Sequence, residues 1–238
     1  MKVPHLGEST FFRIPPRVTL SELEDKLKET DLASNDLVRK ALHLAQSMHA
    51  NDRRYSGQPI LEEHIYPIAA SILDYQLFQR RRGHLSFLSL TPEPVVVGLT
   101  HENFEEGGLK TGHFKRIFGD NIFEMVWLLS EDKYWREGAR DYREYTQMKF
   151  RALETAPWPT QVVGLADKLN NALCLYTEPY MDATGNPTRR MLRMIGYVTY
   201  ITFPFARRRS PEFFAPMLRE LLTHYKNRYP AAFGTLAV

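Results

Sequence analysis

The chain has few of the features that mark secreted, membrane-embedded or nucleic-acid-binding proteins. Cys174 is the single cysteine among 238 residues, so no disulfide can form within the chain, as is usual in a reducing compartment. No stretch approaches the roughly 20 apolar residues of a membrane-spanning helix, and the N-terminus has no apolar run long enough for a signal peptide. The formal net charge of +3 gives no signature of nucleic-acid binding. The sequence therefore predicts a cytoplasmic protein that spans no membrane and binds no nucleic acid.

The chain also has no internal repeat, no low-complexity tract and no recognisable linker. With 43% hydrophobic and 25% charged residues, it has the ordinary composition of a globular protein that buries a sizeable core. Three prolines, Pro4, Pro15 and Pro16, favour an extended arm over residues 1–20. We therefore expect one domain over residues 21–238. An arm of this kind can pack on a neighbouring subunit, which leaves a homo-oligomer open.

Apolar residues recur at helical spacing along most of the chain, as in Val38, Ala41 and Ala45. Capping residues, prolines and glycines separate these segments. The predicted helices are Ser21–Lys28 with a cap at Thr19 or Ser21, one from a cap at Ser34 or Asn35 to His49, Leu61–Phe78, Pro94–Glu106, Lys110–Phe118, Asn121–Leu129, Tyr142–Thr155, Gln161–Tyr176, Pro187–Phe203 and Pro211–Tyr229. The run 95–97, three valines, would also suit a strand, but no other segment has strand periodicity. The predicted fold class is all-α.

Four polar residues lie in apolar, helix-like stretches, where a polar side chain is costly unless it is satisfied. They are His64, His101, Glu102 and Asp167. Two imidazoles and two carboxylates suit a divalent ion such as Mn²⁺, Fe²⁺ or Zn²⁺, and such an ion can promote hydrolysis of a phosphate ester. Each residue alone is as easily a core residue or one half of an ion pair. Together they indicate a metal site and an enzyme.

Further residues suit the remaining tasks of such an enzyme. Glu105 lies one helical turn after His101, and Glu106 has the same relation to Glu102, so either acid could act as general base. The Arg54 guanidinium could stack on a purine. The remaining candidates are Tyr55 for a sugar or base, Asn171 for a base or ribose edge, and Lys110, Lys115 and Lys149 for phosphate charge.

The order of these residues along the chain resembles the order of the motifs in the HD-domain hydrolases of the RelA/SpoT family, which remove the 3′-pyrophosphate from ppGpp and pppGpp. The resemblance covers roughly residues 37–175. The matching strings are Ala45–His49, Arg54–Pro59, His64, His101-Glu102, Glu105-Glu106, Phe118-Gly119 and Leu165–Asn171. Glu102 and Glu106 stand where the family has Asp, and Tyr55 stands where it has Lys.

The resemblance implies an all-α HD-type fold and a stand-alone alarmone hydrolase with Mn²⁺ as its metal. His64, His101, Glu102 and Asp167 would hold the ion, and the loop that includes Arg54, Tyr55 and Ser56 would bind the nucleotide substrate, together with Asn171 and Lys149. Two alternatives stay open. One is hydrolysis of another phosphoester, such as ppApp or the 2′-phosphate of NADPH. The other is a non-catalytic HD module that binds a nucleotide or a protein.

Overall fold

The computed structural model describes residues 17–54, 56–83, 90–104, 109–130, 142–174, 182, 184 and 188–230. Within these ranges the regular structure is helical, and an isolated bridge between Arg53 and Pro59 closes a loop without forming a sheet. The α-helices are α1 (Leu20–Glu29), α2 (Asp36–His49), α3 (Tyr66–Arg81), α4 (Pro92–Thr100), α5 (Thr111–Leu129), α6 (Tyr142–Thr155), α7 (Trp158–Leu173), α8 (Arg189–Tyr197), α9 (Phe203–Arg209) and α10 (Phe214–Arg228). Two π-helical turns, π1 (Leu61–Ile65) and π2 (Val198–Thr202), directly precede α3 and α9. The predicted all-α class is confirmed.

The capping residues read from the sequence do begin the first two helices. The Thr19 side chain accepts from the backbone N–H of Glu22, whose carboxylate accepts from the Thr19 backbone in return, and this reciprocal pair starts α1. The Asn35 side chain accepts from the first N–H groups of α2. The bounds of α6 are those predicted from the sequence. Local signals therefore determine these helix boundaries.

Where the sequence predicts two short helices, α5 is one element with a kink. Gly119 has φ 84° and ψ 166° inside it, a backbone conformation that residues with a Cβ rarely adopt. The predicted break therefore occurs at the expected glycine, and helical structure continues directly before and after it.

The fourth helix differs most from its prediction. It was predicted as Pro94–Glu106, but α4 runs from Pro92 to Thr100 and includes the three valines that would also have suited a strand. His101 follows α4 as its C-cap, and 101–104 are turn residues. Glu105 and Glu106 lie outside the described residues. Their role as general base therefore stays a prediction, and the helix that was expected to carry them ends before His101.

The elements around π1 and π2 also differ from their predictions. The predicted helix Leu61–Phe78 is π1 followed by α3, and Pro67 lies in the first turn of α3. The predicted helix Pro187–Phe203 is α8 followed by π2. Helix α9 is not predicted as a separate element, and α10 lies within the predicted final helix Pro211–Tyr229. The predicted arm falls largely on residues 1–16, outside the described part of the chain, so the domain boundary stays a prediction.

Helix α4 lies at the centre of the fold, with residues 94–100 all buried. It packs against α2, α3, α5 and α7, which is why its sequence is apolar on every side. At Gly98 the approach to α3 is so close that a Cβ would lie 2.6 Å from the Cδ1 atom of Ile72. This packing brings π1, the end of α4 and the middle of α7 together. None of the described helices combines the length and apolarity needed to cross a membrane.

Candidate functional site

The first candidate ligand, His64, lies on π1, and a proline explains that turn. In a regular helix the N–H of residue 67 would donate to the carbonyl of Glu63, but Pro67 has no N–H and its ring would clash with that oxygen. Instead, the helix widens, and Tyr66 donates to Leu61. π-Turns of this kind often occur at functional sites. Here the turn leaves the Glu63 carbonyl free for partners from α7.

Those partners orient the His64 imidazole. The Glu63 carbonyl accepts from Asn170 Nδ2 at 3.2 Å and from the Cys174 thiol at 3.7 Å. With its Nδ2 used in this way, Asn170 turns Oδ1 towards His64 Nδ1, at 2.7 Å. An amide oxygen only accepts, so His64 Nδ1 carries the proton and its Nε2 has a lone pair available. His64 is 1% exposed, so this arrangement is shielded from water.

The second imidazole, His101, is fixed in the same tautomer. Its Nδ1 donates to the Gly98 carbonyl at 2.8 Å, and its own backbone carbonyl accepts from the Ser130 hydroxyl at 3.3 Å. The two Nε2 atoms of His64 and His101 therefore face each other at 3.3 Å. Two facing lone pairs repel each other unless a proton or a metal ion lies between them.

Two carboxylates complete the group. Glu102 Oε1 lies 2.8 Å from His64 Nε2 and 3.3 Å from His101 Nε2. Asp167 Oδ1, on α7, lies 3.7 Å from His64 Nε2. Ligand atoms of His64, His101 and Asp167 all lie within 4.8 Å of one another, and two ligands about 2.0–2.2 Å from one ion are at most about 4.4 Å apart. Imidazole nitrogens and a carboxylate oxygen at this spacing are donors that divalent transition metals take, so the residues fit the ion.

The charges of the site compensate one another. Burial favours the neutral form of Glu102, but hydrogen bonds and charge from His101 and His64 hold its pKa well below the ordinary value. Burial by itself would lower the pKa of His101, but the hydrogen bond and negative charge of Glu102 and the charge of Asp167 outweigh burial, so the pKa of His101 is raised. Burial and the Arg54 charge together lower the pKa of His64. The site thus favours one positive charge between the imidazoles, which either a proton or a cation can supply.

Asp167 is held ionised by its neighbours on the same helix. Burial opposes its ionisation, but the Lys168 ammonium, 2.8 Å from Oδ2, and the two imidazoles lower its pKa to about 2. Its Oδ1 accepts from Asn171 Nδ2 at 2.6 Å. Asp167 is therefore a carboxylate at neutral pH, as a metal ligand must be.

Arg54 and Asn171, both predicted to bind substrate, meet beside Asp167. Arg54 Nη2 donates to Asn171 Oδ1 at 2.8 Å, and Asn171 in turn donates to Asp167. A tight turn places Arg54, because its backbone N–H donates to Gln58 and its carbonyl accepts from Gly57, whose φ is 80°. The loop that contains Arg54 is therefore connected to the candidate metal site by two hydrogen bonds.

The other predicted site residues lie in different surroundings. The Ser56 hydroxyl donates to the buried carboxylate of Glu63, on π1. Lys149 is buried on α6. Lys115 pairs with Asp120 at 2.8 Å, and Lys110 is exposed at the start of α5. Tyr55, like Glu105 and Glu106, is outside the described residues.

Sequence reasoning missed one buried residue that contacts a candidate ligand, Asn170, which orients His64. The spacing of His64 and Pro67 was the available signal, since a proline three residues on frees one helical carbonyl. The sequence does offer Lys168 as an ion-pair partner of Asp167, and the structure contains this pair. Lys168 lies in an apolar stretch, where a lysine needs a partner.

Comparison with known proteins gives support at the level of the fold. No family model matches the chain, and no curated protein matches it. A solved structure of a metazoan ortholog of SpoT, described as hydrolysing ppGpp and as having a role in starvation responses, matches with a TM-score of 0.56 and 14% sequence identity. The match covers 82% of this chain and 96% of that one. At this identity the likeness establishes the fold alone: the chain shares the helical fold of that protein.

Proposed function

We propose that this protein is a metal-dependent nucleotide phosphohydrolase that removes the 3′-pyrophosphate from alarmones of the (p)ppGpp type. The products would be a nucleoside di- or triphosphate and pyrophosphate. The observation that carries the proposal is the pair of Nε2 atoms of His64 and His101, 3.3 Å apart and each with its Nδ1 proton already committed. Neutral imidazoles oriented in this way are the usual nitrogen ligands of divalent metals.

His64, His101 and Asp167 would hold the ion, with Glu102 as the fourth ligand. Two imidazoles and two carboxylates suit Mn²⁺ and leave other divalent transition metals open. The ion, when bound, supplies Lewis-acid stabilisation to phosphoryl oxygens and activates water at neutral pH. Asn170 and the Gly98 carbonyl keep both imidazoles in the ligating tautomer.

The substrate would lie on the side of the site where Arg54 and Asn171 meet. Arg54 is half-buried, and its planar guanidinium can stack on a purine. Asn171 would exchange its contact with Arg54 for the base or ribose edge. We assign substrate contacts also to Tyr55 and Ser56, phosphate charge to Lys149, and the role of general base to Glu105 or Glu106.

A second candidate, a non-catalytic nucleotide-binding module, has one observation in its favour. Glu102 Oε1 contacts both imidazole Nε2 atoms, so a carboxylate and an imidazolium can satisfy the site without a metal ion. Glutamate also reaches about one methylene further than the aspartate that the family motif has at this position.

The deciding experiment combines metal analysis with turnover. Purified protein is analysed for metal by mass spectrometry and assayed with Mn²⁺ on ppGpp, pppGpp, ppApp and NADPH. We expect about one transition-metal ion per chain, release of pyrophosphate from ppGpp or pppGpp, and loss of both metal and turnover in His101→Ala and Asp167→Ala. His113→Ala, at an exposed position on α5, is the matched control and should behave as the wild type.

Each other outcome selects an alternative. Metal with turnover of ppApp or NADPH in place of ppGpp keeps the hydrolase and replaces the substrate. Metal without turnover of any of the four contradicts the alarmone assignment. Absence of metal after Mn²⁺ loading, in protein that circular dichroism shows to be helical, favours the binding module.

A further inference from the structure

His49, the last residue of α2, joins two loops that the proposed chemistry does not connect directly. Its side chain is buried, and each of its two ring nitrogens lies within hydrogen-bond distance of a side-chain oxygen. Nε2 lies 3.0 Å from Asn103 Oδ1, and Nδ1 lies 2.8 Å from Asp52 Oδ2. One imidazole therefore contacts both the turn after α4 and the loop after α2.

On the first side, His49 contacts the turn that carries two of the candidate ligands. Asn103 directly follows Glu102, and its backbone N–H donates to Thr100 at 3.1 Å. Its side chain is 2% exposed, and Nδ2 has no hydrogen-bond partner among the described residues. The His49 imidazole is thus what satisfies this buried amide there. Loss of that bond would leave the whole side-chain amide of Asn103 unsatisfied among the described residues, which is unfavourable for a buried polar group.

On the second side, His49 contacts the residue that closes the loop carrying Arg54. The Asp52 N–H donates to the His49 carbonyl at 3.2 Å, and the Asp52 carbonyl accepts from Ile60 at 3.1 Å. Asp52 therefore holds both the start and the end of the loop. The bond from His49 Nδ1 fixes its carboxylate against α2.

We propose that His49 is a positioning residue that fixes these two loops through separate nitrogens. Nε2 holds the turn 101–104 in the geometry that the metal needs, and Nδ1 holds the loop segment from Asp52 to Arg54 in the geometry that a nucleotide needs. The predicted effects of His49 on metal and nucleotide binding rest on the proposed function. Its predicted effects on the order of the two loops do not.

Two substitutions separate the two bonds. In His49→Gln the side-chain amide reaches the position of Nε2 and keeps the contact with Asn103, but it loses Asp52. In His49→Asn the amide nitrogen takes the place of Nδ1 and keeps Asp52, but it loses Asn103. His43→Gln and His43→Asn are matched controls, because His43 is exposed on the same helix.

The primary measurement is backbone amide hydrogen exchange on the full chain. We expect His49→Asn to speed exchange at Asn103 while Ile60 stays protected, and His49→Gln to do the reverse. With metal present, His49→Asn should weaken Mn²⁺ binding by about 10–100-fold, as loss of a group behind a metal ligand usually does. His49→Gln should keep the Mn²⁺ affinity and raise KM for the nucleotide with little change in kcat.

Two results would overturn the proposal. One is that both variants change exchange at Asn103 and Ile60 to the same extent. The other is that neither variant changes it while the variants remain folded by circular dichroism. If the wild type binds no Mn²⁺, the proposed function fails, but the exchange pattern still decides whether His49 fixes the two loops separately.

Discussion

His64 and Asn170 lie 106 residues apart in the chain, and their side chains share a hydrogen bond of 2.7 Å. Asn170 also donates to the Glu63 carbonyl, so a residue with no ligand atom for the metal determines which nitrogen of His64 is protonated. Asn170→Leu should therefore weaken Mn²⁺ binding by about 10–100-fold. Asn170→Asp should lose less affinity than Asn170→Leu, because a carboxylate still accepts from Nδ1 although it no longer donates to the Glu63 carbonyl. Titration calorimetry with Mn²⁺ checks both, and equal losses in the two variants would contradict the tautomer argument.

The kinetic effect of replacing Glu102 distinguishes a catalytic site from a binding module. If the site is catalytic, Glu102→Asp should preserve or raise kcat/KM, because the shorter carboxylate still reaches an ion held by the two imidazoles. Glu124→Asp, at an exposed position on α5, is the control. A large fall in kcat/KM without a fall in thermal midpoint would show that the longer side chain has a role specific to this protein.

Arg54 should contribute to nucleotide binding through its flat guanidinium. Arg54→Ala should raise KM for a guanine nucleotide far more than for p-nitrophenyl phosphate, because stacking needs a base. Arg53→Ala, one residue earlier and exposed, should change neither. Steady-state kinetics with both substrates measure this. A similar rise for the two substrates would mean that Arg54 acts on phosphate charge or on Asn171 instead.

The Cys174 thiol should report unfolding. Burial raises its pKa from 9.0 to about 12, so the native protein should not react with an aromatic disulfide reagent at pH 8, whereas the denatured protein should react fully. Between pH 9 and 12 the unfolded chain loses this proton while the folded chain keeps it, and stability must fall as pH rises.

A comparison with Cys174→Ala isolates this contribution. From pH 7 to pH 10 the wild type should lose about 1 kcal/mol more unfolding free energy than Cys174→Ala. Urea denaturation at both pH values measures the difference. Parallel losses in the two proteins, or rapid labelling of the native thiol, would show that Cys174 is accessible.

The local part of the fold was predictable because its causes are local. The caps at Thr19 and Asn35, the break at Gly119 and the bounds of α6 depend on residues within one or two turns of each other. The same reasoning placed the end of α4 too late, since nothing in the apolar run before His101 indicates where the helix stops. The cytoplasmic location and the homo-oligomer stay predictions.

The sequence by itself determined the helical class and the polar residues to examine, because a histidine or aspartate in an apolar helix is costly unless it has a partner. Only the tertiary structure decided which residues those partners are. Pro67 frees a carbonyl, α7 supplies Asn170 to it, and Asn170 orients His64, so two segments far apart in the chain set one imidazole. Periodicity carries no information about such contacts, because they exist only once α3, α4 and α7 have packed together.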